Sequence, residues 1–237
     1  MKRGNIIKAK VTKWLVFCSV GWIIGCLEIR GCILQKRAEK TKEDIFRAAE
    51  AEFSEKGFYG ARMDVIAQNA GANKASIYKY FGDKDNLYKQ VFYTVYDRFS
   101  YLEKKIGEHP ALDWREKIRR FIRQDFNYLL ENPTYVRLLM WENLNHAAVY
   151  SERGEVNPKG HIIEALDSII REAGKECRPR ESVSAVNLLQ TIYACGFNYF
   201  SNLDTMSNVL SSDLSRPERI EERADAVSDM IIAYLGG

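Results

Sequence analysis

The sequence predicts an all-α protein with a small N-terminal domain of three helices, residues 39–87, and a larger helical domain, residues 88–237. Apolar residues recur at the three- and four-residue spacing of amphipathic helices in one segment after another. Glycine, asparagine and proline stand between these segments, where helices tend to end or begin. No alternation of polar and apolar residues is long enough to indicate a strand.

The first predicted helix has Thr41 as its cap and ends at Gly57. Ile45, Ala49 and Phe53 form its apolar stripe, each four residues from the next. Spacing this regular predicts a helix that packs along one face.

Residues 61–87 predict two short helices joined by a glycine turn, with a third helix directly after them. Gly71 interrupts the helical spacing with a residue that is free to adopt positive φ. Asn73 stands where an N-cap belongs, because its side-chain oxygen can accept an N–H group of the first turn. Ile77 and Phe81 lie four residues apart in the second short helix and are predicted to face inward. The apolar positions of the first short helix are Met63, Ile66 and Ala67.

The outer face of the second short helix has cations interleaved with hydroxyl groups: Lys74, Ser76, Tyr78, Lys79 and Tyr80. A helix N-terminus has unpaired N–H groups and partial positive charge, so this face suits phosphates and base edges. The turn has helix-turn-helix length, which predicts that the helix enters the major groove of DNA. A solvated basic face on two inert helices is the alternative interpretation. Asp83 is predicted to cap the third helix, and Lys84 to contact a backbone phosphate.

The stretch from Thr41 to Leu87, about a fifth of the chain, resembles the DNA-binding domain of the tetracycline-repressor (TetR) family. The matching residues are Phe53, Glu55, Lys56, Gly57, Phe58, Ile66, Ala67, Ala70, Gly71, Lys74, Ile77, Tyr78, Tyr80, Phe81, Lys84, Asp85 and Leu87. The resemblance implies DNA contacts from Arg62, Asn73, Lys74, Ala75, Ser76, Tyr78, Lys79, Tyr80 and Lys84. Arg62 stands where the family has a threonine, so a charged phosphate contact is expected there. Asn73, Ala75 and Ser76 also depart from the family pattern, which leaves the operator sequence open.

Charge is distributed unevenly along the chain. The net charge is only +3, but residues 1–40 hold nine Lys and Arg against two acidic residues. The remaining 26 basic and 30 acidic residues give the rest of the chain a net charge of −4. Positive charge is therefore concentrated before and within the predicted DNA-binding end, as neutralisation of phosphates requires.

Residue patterns typical of enzymes and metal sites are missing from the sequence. The five cysteines form no C-x-x-C pair, and the three histidines stand on separate predicted elements. No P-loop, G-x-S-x-G, H-E-x-x-H or dinucleotide-binding pattern is found. We therefore predict a protein that is not an enzyme and that has no catalytic residues, no metal site, no cofactor and no disulfide framework.

Residues 1–38 are predicted to be an extension outside the core fold. Residues 14–27 are apolar and uncharged, and they follow five Lys and Arg residues. This arrangement is similar to a signal peptide, although no small-residue cleavage site follows it. A membrane anchor and an export signal stay open as alternatives. The family resemblance implies a short arm before the first helix, which residues 35–42 would form, and a cytoplasmic protein.

Five segments of the larger domain are assigned before its last two helices. Helices are predicted from Asp83 to Ile106, from Asp113 to Glu131, from Pro133 to about Asn143, and from Asn157 to about Ala173. Residues 147–155 are predicted to be a loop. Asn132 and Pro133 mark the boundary between two of these helices, because proline cannot continue a helix but can open one.

The last two predicted helices are apolar on two faces each. The helix from Ser182 to Phe200 has the stripes Val186, Leu189, Tyr193, Gly196, Phe200 and Leu188, Ile192, Cys195, Tyr199. The final helix, with Ser215 and Glu218 as a capping box, has the stripes Ile220, Ala224, Val227, Ile231, Tyr234 and Ala226, Met230, Ala233. Because both faces of each helix must be buried, these helices predict a homodimer joined through a four-helix interface, as the family resemblance also implies. A helical pair buried within a monomer is the alternative.

The family resemblance implies a small organic ligand bound inside the larger domain. Residues that combine aromatic or polar character with an inward position are the candidate pocket: Tyr135, Trp141, Asn143, His146, Tyr193 and Tyr199. Each of them could instead be ordinary core, and His146 a surface residue. Arg137 could pair with an acidic ligand or with a neighbouring glutamate.

The sequence thus predicts a sequence-specific DNA-binding transcriptional regulator, and the family resemblance implies a homodimeric repressor that a small ligand releases from double-stranded operator DNA. The rival hypothesis is a membrane-attached or protein-binding helical adaptor, which depends on the apolar residues 14–27.

Overall fold

The computed structural model describes residues 35–103, 112–154, 159–177 and 183–236. Within these ranges the chain forms eleven α-helices and no strand, which confirms the all-α prediction. In chain order they are α1 (35–60), α2 (Met63–Asn69), α3 (Lys74–Phe81), α4 (Lys84–Glu103), α5 (Trp114–Glu131), α6 (Pro133–Leu144), α7 (Ala148–Glu152), α8 (Gly160–Glu176), α9 (Ala185–Ser201), α10 (Leu203–Val209) and α11 (Pro217–Gly236).

The described residues divide into two compact units. The first unit contains residues 35–48 and 63–82, and the second contains residues 49–62 and the described chain from Asp83 onward. Helix α1 therefore contributes to both units, whereas α4 belongs wholly to the second. This division differs from the predicted domain boundary after Leu87.

The first unit is built around apolar side chains of α1, α2 and α3. Its buried members are Ile45, Ala48, Met63, Ile66, Ala67, Ile77 and Phe81. Gly71 has φ +59° in the turn between α2 and α3, as its position in the sequence predicts. The predicted N-cap is also confirmed, because the Ser76 N–H donates to Asn73 Oδ1 over 2.7 Å.

Two expectations for α1 are corrected. Thr41 lies inside the helix rather than at its start, and its hydroxyl donates to the carbonyl of Arg37 over 2.9 Å. Gly57 has φ +65°, so the backbone leaves the right-handed helical conformation at this residue, but one further turn follows before Ala61. The Ala61 N–H donates to the Gly57 carbonyl and closes that turn.

The core of the second unit is formed by α5, α8, α9 and α11. Trp114, Ile118, Leu166, Ile192 and Val227 are among its fully buried side chains. Helix α5 begins as predicted, with the Glu116 N–H donating to Asp113 Oδ1 over 2.9 Å. The predicted break between α5 and α6 is also confirmed at Asn132, with Pro133 as the first residue of α6.

The segment predicted as a loop, 147–155, contains the short helix α7 at Ala148–Glu152, and residue 155 lies outside the described residues. Glu142 explains the difference. Its buried carboxylate accepts the N–H groups of Val149 and Tyr150 over 3.1 and 3.3 Å, and so caps the first turn of α7. A cap supplied from the preceding helix cannot be recognised from the composition of the segment itself.

The predicted capping box of the final helix is wrong. Helix α11 begins at Pro217, and the Ile220 N–H donates to the Arg216 carbonyl. The Ser215 hydroxyl and the Ser215 N–H instead both donate to Asp213 Oδ1, over 2.6 and 3.0 Å, so this serine belongs to a turn that precedes the helix.

Helices α9 and α11 differ in how they bury their two apolar stripes. Helix α9 buries members of both stripes, including Leu188, Leu189 and Ile192, in one core. Helix α11 buries its first stripe except for Tyr234, which is 39% exposed. Met230 in its second stripe is 53% exposed. The exposed apolar side chains expected for these two helices therefore lie mainly on α11.

None of the described helices is both long enough and apolar enough to cross a membrane. The apolar residues 14–27, on which the anchor and export alternatives depend, lie outside the described residues.

Candidate nucleic-acid interface and ligand cavity

Helix α3 is a short helix that packs along one face against the rest of the first unit. Ile77 and Phe81 are buried in the first unit, and they fix which side of the helix points outward. The Asn73 cap satisfies the first turn, and the Gly82 N–H donates to the Tyr78 carbonyl at the other end. With both ends hydrogen-bonded, an eight-residue helix can present a defined surface.

The outward face of α3 consists of side chains suited to DNA. Lys74, Ala75, Tyr78 and Lys79 are exposed, as is the cap Asn73, while Ser76 and Tyr80 are half-buried. Tyr78 is 50% exposed, so its hydroxyl and ring edge are accessible from outside. The Lys79 ammonium lies 5.8 Å from the centroid of the Tyr80 ring. Two ammonium groups can neutralise phosphates, while hydroxyl and ring edges can contact bases.

Two other predicted DNA-contact residues belong to the second unit. Arg62 is exposed, and its backbone N–H donates to Glu52 Oε1 over 3.1 Å. The Lys84 ammonium donates to the Ala61 carbonyl over 2.6 Å and lies 5.0 Å from the Phe58 ring centroid. Lys84 thus connects the first turn of α4 to the chain just after α1. The sequence could not reveal this internal bond, because it depends on a carbonyl 23 residues away.

A cavity of about 300 Å³ lies in the second unit, between α4, α5, α6 and α9. Most of its wall is aromatic or aliphatic: Tyr96, Phe99, Leu129, Tyr135, Leu139, Tyr193, Ala194 and Phe197. Asp125 on α5 and Lys159, which directly precedes α8, are its two charged residues. Apolar walls with a few charged groups are typical of sites for small organic molecules.

A second recess, of about 460 Å³, lies among α9, α10 and α11. Tyr199 lines it, and its hydroxyl donates to the Leu214 carbonyl over 2.7 Å. Burial raises the pKa of this phenol above its ordinary value. The recess also has Arg219, Glu222 and Arg223 in its wall, so it is more polar than the cavity between α4 and α9.

The six residues predicted to form one pocket are not brought together. Tyr135 and Tyr193 line the smaller cavity, and Tyr199 lines the second recess. Trp141 lines neither of these cavities. Its indole N–H instead donates to the Ser54 carbonyl over 3.2 Å. Asn143 and His146 are exposed near the end of α6.

The residues that sequence reasoning missed are the charged members of the cavity. Asp125 is only 3% exposed, and a carboxylate on an otherwise apolar helix face was the available signal. Lys159 gave no signal, because lysines near helix starts are common on surfaces. Arg137 pairs with Glu55 over 3.6 Å, in agreement with its salt-bridge alternative. Among the described residues, no group of three His, Cys, Asp or Glu side chains is placed to hold a metal ion.

Two family models match this chain. The model described as bacterial regulatory proteins, tetR family, matches residues 45–91, and the tetracyclin repressor-like C-terminal domain matches residues 115–231. The first match contains α2 and α3 entirely, and the second contains most of the second unit. The chain belongs to the TetR family. Like other members of the family, it is a DNA-binding transcriptional regulator.

Relatives in the TetR family agree with this assignment. The HTH-type transcriptional repressor NicS of Pseudomonas putida is 27% identical over 203 residues, which are 84% of this chain and 94% of the relative. The HTH-type transcriptional repressor SCO4008 of Streptomyces coelicolor is 38% identical over 111 residues, 46% of this chain and 52% of the relative.

Solved structures of other TetR proteins have a similar fold. A TetR-like regulator from Rhodococcus sp. RHA1 aligns with a TM-score of 0.57 and 21% identity, over 82% of this chain and 93% of that one. PfmR from Thermus thermophilus aligns with a TM-score of 0.56 and 22% identity, over 79% of this chain and 93% of that one. At this level of identity the similarity concerns the fold alone.

Proposed function

We propose that this TetR protein is a homodimeric repressor that binds operator DNA through α3 and is released by a small organic ligand. The observation that carries the proposal is the exposed face of α3, where Lys74, Tyr78 and Lys79 project from a helix capped at both ends. The family assignment favours this function over the adaptor hypothesis. A DNA regulator also requires a cytoplasmic location, which we propose for the same reason.

The proposed DNA contacts differ in kind. We propose that Lys74 and Lys79 contact phosphates and that Tyr78 contacts a base edge or a sugar. Asn73, Ala75, Ser76 and Tyr80 complete the surface of α3, and Arg62 adds an exposed cation. For Lys84 we propose mainly a positioning role, since its ammonium already donates to the Ala61 carbonyl.

The proposed dimer uses the exposed apolar side chains of the last helices. Val186 on α9 is 46% exposed, and Met230 and Tyr234 on α11 are 53% and 39% exposed. Two copies that cover these side chains would bury the apolar surface that α11 leaves in water. Dimerisation also presents two α3 helices to the two halves of one operator.

The proposed ligand site is the cavity between α4 and α9, with Tyr135 and Tyr193 among its contacts. The ligand must bind more tightly to the DNA-incompetent form of the dimer than to the competent form, because otherwise it shifts no equilibrium. Coupling between cavity and operator is therefore measurable as a loss of DNA affinity at saturating ligand.

Fluorescence anisotropy with the full-length protein tests the DNA-binding part of the proposal. The DNA would come from upstream of the protein's own gene, with a scrambled duplex as the control. We expect preferential binding that weakens steeply as salt rises, because phosphate contacts release counterions. A response that is independent of salt would contradict the proposal.

Substitutions on α3 identify the surface that binds. Lys74→Ala and Lys79→Ala should each weaken binding and reduce the salt slope by roughly one, while Tyr78→Ala should relax the sequence preference. Lys175→Ala is the matched control, because it removes another exposed cation, from the last turn of α8. Equal effects of Lys74→Ala and Lys175→Ala would exclude α3 as the DNA-binding surface.

A further inference from the structure

We propose that the recess among α9, α10 and α11 is a second ligand site, which takes a small amphipathic carboxylate and pairs it with Arg223. The recess has a volume of about 460 Å³ and shares no lining residue with the cavity between α4 and α9. Its polar residues stand on α9 and α11, whereas its apolar residues come mainly from α10 and the segment that follows it. One wall can therefore bind a charged group while the other packs against an apolar chain.

Arg223 provides the charge that the proposed site uses. It stands on the second turn of α11 and is half-buried, and its guanidinium makes no ion pair or hydrogen bond with any residue that the structure describes. Arg219 differs, because its guanidinium pairs with Glu222 over 2.9 Å. Two arginines and one glutamate give the wall a net charge of +1. The uncompensated charge is that of Arg223.

Tyr199 shows where this charge lies within the recess. Its hydroxyl donates to the Leu214 carbonyl over 2.7 Å, which fixes the ring between α9 and the segment before α11. Burial raises the pKa of the phenol, and the positive charges of Arg223 and Arg219 oppose that rise. Both guanidinium groups therefore lie near the phenol, at the polar end of the recess.

A carboxylate fits this end of the recess better than other anions. A guanidinium group is planar, and its N–H donors match the two oxygens of a carboxylate in a bidentate pair. A dianion such as a phosphate monoester would bring a second negative charge beside Glu222, which a wall of net charge +1 does not compensate. The exposed Asn198 amide in the same wall offers a further neutral donor.

The apolar part of the proposed ligand would lie on Met206, Leu210 and Leu214. Met206 is 37% exposed and Leu210 is 56% exposed, so both leave apolar surface in water. An alkyl chain that covers these side chains removes the surface from water, which favours binding. Because a methionine side chain is flexible, the wall can adapt to the shape of the chain.

Isothermal titration calorimetry of the full-length protein with octanoate tests the proposed selectivity. The controls are 1-octanol, which has the same chain without the charge, and octylammonium, which has the opposite charge. We expect octanoate to bind more tightly than either control, because it alone can pair with Arg223. Equal affinity for octanoate and 1-octanol would overturn the proposal, since apolar contact alone would then explain binding.

Substitution of Arg223 tests the pairing itself. Arg223→Gln removes the charge and should weaken octanoate binding roughly tenfold while leaving 1-octanol binding unchanged. Arg223→Lys keeps the charge but loses the bidentate geometry, so its affinity should lie between the two. Arg171→Gln is the matched control, because it removes an exposed arginine of α8 that does not line the recess. Equal losses in Arg171→Gln and Arg223→Gln would contradict a specific site.

Methyl NMR on protein labelled at its methionines locates the bound octanoate. Met206 lines the recess, whereas Met63 is buried in the first unit. We expect octanoate to shift the Met206 methyl signal, assigned with Met206→Leu, and to leave the Met63 signal unchanged. Octanoate binding that leaves the Met206 signal in place would mean that the ligand lies elsewhere, which would overturn the proposal.

A second copy of the chain is the other possible occupant of the recess, because α11 also carries Met230 of the proposed dimer surface. Titrations at several protein concentrations separate the two occupants. Octanoate affinity that does not depend on protein concentration supports the ligand site. Affinity that falls as protein concentration rises would mean that a second copy covers the recess, and would overturn it. The site does not rest on the proposed function, since these measurements need no DNA.

Discussion

Gly57 stands where α1 changes course, and it touches Trp141. Its φ is +65°, and a Cβ atom there would lie 2.7 and 2.8 Å from two carbons of the indole ring. The indole N–H of Trp141 meanwhile donates to the Ser54 carbonyl. The tryptophan that the sequence analysis assigned to a ligand pocket is therefore a structural side chain that holds the end of α1 within the second unit.

Gly57→Ala should destabilise the protein more than the same change at Gly154, which also has φ +65° but open space around it. Gly154→Ala incurs only the left-handed backbone cost of about 1–2 kcal/mol. Gly57→Ala incurs in addition about 1–3 kcal/mol for overpacking against Trp141. Urea unfolding of both variants measures the difference, and equal free energies of unfolding would show that the indole yields without cost.

Tyr88 and Glu142 form a buried hydrogen-bonded pair of a phenol and a carboxylate. The phenol is 2% exposed and donates to Glu142 Oε1 over 3.1 Å. Burial, followed by the nearby Glu142 carboxylate, raises the pKa of Tyr88 well above its ordinary value of 10.0. The folded protein thus keeps a proton that the unfolded chain releases once the pH exceeds that value.

This difference predicts a loss of stability in alkali. The contribution is complete below about pH 10 and is lost as the pH rises from there toward the folded-state pKa, by at most about 1.4 kcal/mol per pH unit. Tyr88→Phe has no such proton, so its free energy of unfolding should fall less steeply between about pH 9 and 11. Urea unfolding at several pH values measures both slopes. Parallel slopes would mean that Tyr88 titrates normally in the folded state.

Among the elements, α7 shows what a local pattern cannot predict. Five residues do not form a helix alone, because nucleation costs more than so few hydrogen bonds return. The segment is helical because Glu142 caps it from α6 while the same carboxylate accepts the Tyr88 phenol from α4. The longer helices were predictable from apolar spacing, and the start of α6 from Pro133, since neither depends on distant residues.

Glu142→Gln should therefore loosen α7. Glu142 uses both carboxylate oxygens as acceptors, whereas a carboxamide has only one acceptor oxygen. In the variant, either the Tyr88 phenol or the two amides of α7 are therefore left without an acceptor. We expect this to lower the free energy of unfolding by about 1–3 kcal/mol. Hydrogen exchange of the Val149 and Tyr150 amides should become faster. Glu152→Gln is the control, since Glu152 is 56% exposed and its partner Lys89 keeps a second pair with Asp85, so stability should change by less than about 1 kcal/mol. Unchanged exchange in Glu142→Gln would refute the cap.

For the molecule as a whole, the prediction concerns assembly. Met230→Glu puts a charge into the apolar surface of α11 that we propose is covered by a second copy. We expect light scattering to give the mass of a dimer for the unmodified protein and of a monomer for the variant, with DNA affinity falling in parallel. Leu144→Glu is the matched control, because Leu144 is 71% exposed at the end of α6. A dimer that persists in Met230→Glu would place the interface elsewhere.

At this scale the sequence was enough to predict the exposed face of the DNA-binding helix, but it did not predict which residues line the cavity. Helix α3 is a local structure, so Asn73, Gly71 and the spacing of Ile77 were enough to predict its outward face. The cavity brings together residues of five segments, and only Tyr135 and Tyr193 of the six predicted residues line it. Helical spacing shows which residues face inward, but not which inward faces leave space between them.

Helix α1 places an unusual restriction on how this protein can vary. Its residues up to 48 belong to one unit and those from 49 to the other, and Ile45, Ala49 and Phe53 are all fully buried. One residue inserted between Ala49 and Phe53, which both belong to the second unit, would rotate one of them relative to the other by about 100° and shift it by about 1.5 Å. Only one of these two side chains could then keep its buried place. Related sequences should accordingly tolerate substitutions here but not gaps, whereas the turn at Gly154, with open space around it, can change in length.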